Sequence, residues 1–165
     1  MGRGKYELDE QGGVIDLDLV PIEADVYEGY YNVIANPLLW FLQHSMWDVV
    51  SSPTITRDTW QAWDDGYVVA NREFAQAIAN RVIHTPQKSI VMLQDYHLYL
   101  VPRMLRNILK RPRKSDQVTI THFIHIPWPG PEQVRILTPG MRKAILDGST
   151  AVDVLGFQTR AAGLD

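Results

Sequence analysis

Residues 89–105 read SIVMLQDYHLYLVPRML. The apolar run 90–93 looks like the end of a buried strand, and it meets Gln94, Asp95, Tyr96 and His97 before apolar residues return at helical spacing. A carboxylate at a strand's carboxyl end, beside a helix N-terminus, can stay ionised and accept hydrogen bonds from sugar or alcohol hydroxyls. The same position equally suits a helix N-cap, with His97 packed or capping beside it. A second stretch, HFIHIPWPGP (122–131), places His122 and His125 three residues apart. On a strand they fall on opposite faces and make poor joint metal ligands. Pro127, Pro129 and Pro131 follow His125 and fix the backbone repeatedly, so the loop could hold one imidazole in place for a substrate. The alternative is a turn whose histidine merely packs. A third stretch, GYYNVIANPLLW (29–40), offers Tyr31 and Trp40 as flat, amphipathic surfaces of the kind found in carbohydrate sites. Aromatics at helical spacing also serve as core.

The elements that must position these groups alternate along the chain. VIDLDLVPI (14–22) puts Asp16 and Asp18 on one parity and Ile15, Leu17 and Leu19 on the other, which predicts a strand with one buried face near an edge. Residues 1–13, closed by Gly12-Gly13, read as a flexible N-terminal segment, leaving 14–165 as the domain. Residues 23–47 are aromatic-rich and helical by pattern, with Pro37 kinking or restarting the helix. The clearest helix is 57–84, capped by Asp58 with Gln61 three residues on. SIVMLQ (89–94) lacks alternation, as a strand covered on both faces would. Leu98, Val101, Leu105 and Ile108 give the next helix its apolar face, and the basic run 110–114 reads as a solvated turn. VTITHFIHI (118–126) and AVDVLGFQT (151–159) are further strands, separated by a helix with Thr138 as cap and Pro139 at its first position. The pattern is α/β: a Rossmann-like parallel sheet with helices on both faces, whose ligands bind outside the carboxyl ends of the strands. Asp95, His125, Gln158 and Thr159 all fall at such ends.

Composition narrows the chemistry. The chain has 165 residues, enough for one domain with a real core, and no cysteine, which removes disulfides, zinc–thiolate sites and thiol nucleophiles. A net charge of −3 gives no reason to expect nucleic acid or an anionic membrane. No apolar run approaches a membrane span, and the polar start lacks a signal-peptide core, so a cytoplasmic protein is expected. Nucleotide P-loop, GxSxG and HExxH patterns are absent, and neither metal nor cofactor is expected.

Five segments, YYNVIANPLLW, AWDDGYVVANREFAQAI, VMLQDYHLYLVPRMLR, HFIHIPWPGPEQVRIL and VDVLGFQT, together resemble the trehalose-6-phosphate synthase family of retaining glucosyltransferases, family 20, in order and in spacing. The resemblance covers most of 14–160 and implies part of the N-terminal, acceptor-side lobe of a two-lobed GT-B enzyme, with the C-terminal donor lobe absent. It implies transfer of glucose from UDP-glucose or a related nucleotide sugar to glucose 6-phosphate, with Tyr31 and Trp40 at the acceptor site, Asp95 on acceptor hydroxyls and His125 at the donor sugar. The missing lobe, or a homo-oligomer, would be the protein partner, and the chain alone would be inactive. Related members make glucosylglycerol phosphate; a non-catalytic module that binds a partner is the reading from another class. Gln94 stands where family members commonly carry histidine.

Overall fold

The structure, a computed structural model, describes residues 3–7, 14–46, 54–111 and 113–158. Two strands open it: β1 (Arg3–Glu7) pairs antiparallel with β2 (Val14–Asp18). Part of the expected flexible segment is therefore a strand, because the alternating pattern at 14–18 finds an edge to pair with. The expected buried face of β2 is also not formed: both faces of the strand keep substantial exposure. Ile15, Leu17 and Leu19 are exposed, while Asp16 and Asp18 turn towards Arg81, whose guanidinium lies 2.7 and 3.6 Å from their carboxylates. A cation on the neighbouring helix selects the carboxylate face.

Helix α1 runs without a break over 24–43, wound in wide π geometry across Glu28–Trp40. Pro37 lies inside that wide stretch and neither stops nor restarts the helix. Helix α2 covers 57–83 and carries a second π stretch, Ala62–Tyr67. Its cap is Thr56, not Asp58: Thr56 Oγ1 accepts from the Thr59 amide at 3.4 Å, and Thr59 Oγ1 accepts from the Thr56 amide at 3.1 Å. Hydroxyls at both positions close the box reciprocally, which Asp58 one residue later does not do. The two helices meet at Gly29 and Gly66, where a Cβ on Gly66 would lie 2.7 Å from the Gly29 carbonyl carbon. That close approach brings Tyr30 and Tyr67 together, with ring centroids 5.8 Å apart.

The remainder is a parallel three-stranded sheet in the order β3 (Ser89–Gln94), β4 (Val118–Ile124), β5 (Val154–Phe157). Helix α3 (Val101–Leu109) crosses from β3 to β4; α4 (Pro131–Val134) and α5 (Pro139–Ser149) cross from β4 to β5. Thr138 caps α5 as its sequence predicts, accepting from the Met141 amide. The core packs Leu93, Val118, Ile120 and Ile124 of the sheet against the helices. The opposite face is different. Ile90 and Met92 are 71% and 72% exposed, and Val154 is exposed too, so β3 is not covered on both sides. Topology explains this. The strands advance in one direction, and right-handed crossovers between strands advancing one way place their helices on the same face.

Among the described residues, no helix is long and apolar enough to cross a membrane.

Candidate active site

The chain leaves β3 through a turn rather than directly into a helix. Asp95 has φ 58° and ψ 179°, a backbone region that is nearly glycine-only and costs roughly 1–3 kcal/mol for other residues. A short 3₁₀ turn, Tyr96–Leu98, follows, and α3 begins three residues later. The Asp95 carboxylate caps neither. It accepts from the backbone N–H of His125 at 2.8 Å, across to the end of β4. The N-cap alternative is thereby set aside for a contact between two strand ends.

Three buried side chains staple this turn from beneath. Tyr67 donates its hydroxyl to the Tyr96 carbonyl. Asn71, fully buried on α2, donates to the carbonyls of Tyr67 and His97 at 3.0 Å each and accepts from the Leu100 amide at 3.1 Å. His122 Nε2 faces the Asp95 carbonyl at 2.9 Å. A glycine completes the seat: a Cβ on Gly148 would come 1.9 Å from the Tyr99 carbonyl oxygen, so only glycine lets α5 pack this close.

The aromatic candidates converge on the same turn. The Tyr31 ring stacks on His97, with centroids 5.6 Å apart and planes 18° apart. Trp40 packs against Tyr96 at 6.0 Å, and the Tyr96 hydroxyl donates to Asn36 on α1 at 3.0 Å. His125 is exposed just past β4; its Nε2 lies 2.5 Å from Gln94 Oε1, and its ring meets Phe123 edge-on. The structure thus gathers Tyr31, Trp40, Asp95 and His125 around one strand-end turn. Gln158 is exposed after β5, and Thr159 lies outside the described residues.

Electrostatically, burial pushes His97 and His122 below the ordinary imidazole pKa, with the nearby Asp95 opposing the shift in both. Both rings therefore sit in the fold as neutral groups at neutral pH. His97 Nε2 and His122 Nδ1 are buried without a hydrogen-bond partner. Among the described residues, no three His, Asp or Glu side chains converge as metal ligands. What the site offers is an oriented carboxylate, one exposed imidazole and aromatic walls, a set suited to binding polyols and positioning hydroxyls.

Sequence reasoning missed Tyr67, Asn71 and His122. Asn71 had a legible signal: a polar side chain within the apolar stripe of the clearest helix. His122 was weighed only as a metal ligand, and its role depends on the turn geometry opposite it.

Residues 9–163 match glycosyltransferase family 20. The trehalose-6-phosphate synthase of Mycolicibacterium vanbaalenii is 40% identical over 152 residues, covering 90% of this chain and 26% of that protein. That of Mycolicibacterium gilvum is 38% identical over 151 residues, covering 90% and 26%. A solved E. coli structure, described as trehalose-6-phosphate bound with UDP-2-fluoro glucose, superposes with a TM-score of 0.71 at 23% identity, over 99% of this chain and 32% of that one. The chain spans about a quarter of the length of these curated relatives. Its parallel sheet, its ordered motifs and a match over nearly all its length lead to one conclusion: the chain belongs to glycosyltransferase family 20.

Proposed function

We propose that the strand-end crevice is the acceptor half of a retaining glucosyltransferase site, which moves glucose from UDP-glucose, or a related nucleotide sugar, to glucose 6-phosphate. The observation that carries this reading is the direct contact between Asp95 and the end of β4 at His125, with Tyr31 and Trp40 packed on the same turn. Asp95 takes acceptor hydroxyls, Tyr31 and Trp40 wall the sugar, and His125 hydrogen-bonds the donor sugar near the reacting carbon. The glucosyl–phosphate bond breaks and a bond to the acceptor oxygen forms on the same face. UDP leaves, and the acceptor hydroxyl proton passes to its phosphate. Such a step draws on positioning and charge stabilisation more than on a covalent nucleophile, and needs no metal or cofactor. In this reading the nucleotide is held by a second, donor-side lobe, and the 165 residues by themselves are expected to transfer no sugar.

Calorimetry of the purified chain with glucose 6-phosphate and with UDP-glucose tests the reading. Binding of the acceptor alone is expected; sugar transfer by this chain would refute the half-site. In a complete enzyme carrying the same segment, Asp95→Ala raises the acceptor KM or abolishes turnover, and near-normal kinetics would remove Asp95 from the site. One observation favours a second reading, a non-catalytic module that binds a partner: the exposed Ile90, Met92 and Val154 on the uncovered sheet face. Binding of neither sugar is the outcome that selects it.

A further inference from the structure

His122 is 1% exposed and projects to the covered face of β4, in the same column as Ile120 and Ile124 and opposite Leu93 and Leu155 in the ladder. An imidazole set among aliphatic side chains and the Tyr99 ring, 5.8 Å away, with Nδ1 buried and unpartnered, is a poor choice for stability alone, since an orphaned polar atom is destabilising there. Its one hydrogen bond is 2.9 Å long and goes to the carbonyl of Asp95. A carbonyl only accepts, so the ring nitrogen facing it carries the proton and the tautomer is fixed as Nε2–H.

Asp95 is the residue that needs such a grip. Its backbone sits at φ 58°, where an L side chain is strained, and β4 holds it at three points. The Asp95 amide donates to the Phe123 carbonyl at 2.9 Å, its carbonyl faces His122, and its carboxylate accepts from the His125 amide at 2.8 Å. Without His122 the Asp95 carbonyl keeps only the longer hydrogen bond from the Leu98 amide, at 3.4 Å, and rotation about the Asp95 N–Cα bond carries φ to an unstrained negative value. The carboxylate then turns away from His125. We propose that His122 is a positioning residue, whose Nε2–H holds the Asp95 carbonyl and so fixes the carboxylate, and through it the His125 backbone, at the acceptor crevice. This deepens the reading of Asp95 as the acceptor-binding carboxylate and rests on it.

The test uses the 165-residue chain, with His122→Phe and His122→Gln as variants. Long-range ¹⁵N–¹H correlation in the unmutated chain is expected to show His122 as the Nε2–H tautomer, with a coupling through the hydrogen bond to the Asp95 carbonyl. The Nδ1–H tautomer would overturn the proposal even if no variant folds. His122→Phe keeps a flat ring, somewhat larger than the imidazole, and removes the donor. It is expected to shift the φ-sensitive coupling of Asp95 to a negative-φ value and to weaken glucose 6-phosphate binding about tenfold. His122→Gln returns a donor of similar reach and is expected to restore both. An unchanged Asp95 coupling in a folded His122→Phe chain refutes the clamp, as does failure of a folded His122→Gln chain to restore what His122→Phe loses. If the unmutated chain does not bind glucose 6-phosphate, the acceptor reading fails, while the tautomer and the coupling still decide the clamp.

Discussion

The two ends of the parallel sheet are built on opposite principles. At the amino end, Arg106 of α3 spends its guanidinium on structure. It donates to the carbonyls of Ala151, Ser115 and Val118 at 3.0–3.3 Å and meets the Asp153 carboxylate at 2.5 Å. Asp153 in turn accepts from the Ile120 amide at 2.7 Å; that hydrogen bond first, and Arg106 second, hold its carboxyl below the usual range. Each of these contacts closes a loop onto a strand start. At the carboxyl end, Asp95 is strained, two buried imidazole nitrogens lack partners, and His125 faces solvent. One end maximises satisfied hydrogen bonds, while the other holds groups in positions that local energetics disfavour. Strain and orphaned buried polar atoms of this kind cluster at binding sites in proteins generally.

Breaking the stable end gives the largest effect. Arg106→Ala removes a mostly buried cation and its hydrogen bonds to three carbonyls, leaving Asp153 with the Ile120 amide alone, and lowers unfolding free energy by about 3 kcal/mol in a urea titration. Asn71→Ala attacks the staple under the crevice. It leaves the Leu100 amide and the His97 carbonyl unpaired and is expected to lower stability by about 2 kcal/mol, with amide exchange accelerating across 95–100 more than at β4.

Relieving strain sharpens the contrast further. Asp95→Gly should be more stable than Asp95→Ala by about 1 kcal/mol, because only glycine accepts a φ of 58° freely, while both variants lose acceptor binding. Equal stabilities would mean that the turn is not strained.

Acid separates the two ends with the smallest effect. His97 and His122 have folded pKa values below their unfolded value of about 6.5, so the unfolded chain binds protons first and stability falls as pH drops below about 6.5. The depressed Asp153 acts later: its contribution is intact above the unfolded value of about 4 and is lost as pH falls through its folded value. Hydrogen exchange at pH 5.5 against pH 7.5 should therefore loosen 95–100 and leave the start of β4 unchanged.

Much of this architecture was legible in the sequence because periodicity reports burial directly. The strands 89–94 and 118–124, the helix from Pro139 and the long helix 57–83 all follow from local pattern. What pattern could not carry was set by partners distant in sequence. The face of β2 depends on Arg81, the cap of α2 on a hydroxyl pair, and the exposure of Ile90 on which side the crossovers fall. The site shows the same division. Asp95 and His125 could be placed at strand ends from sequence, but their mutual contact, the positive φ and the histidine beneath require the register of β3 on β4.

The single direction of strand advance has a consequence for any longer version of this fold. A parallel strand laid beside the edge of Ser89–Gln94 that pairs with no strand among the described residues, and joined by the usual right-handed connection, would carry its helix over Ile90 and Met92. The winding would then change sense at β3. Asp95, at the tip of that pivot strand, would stand where two helical layers part and leave a natural opening for a ligand.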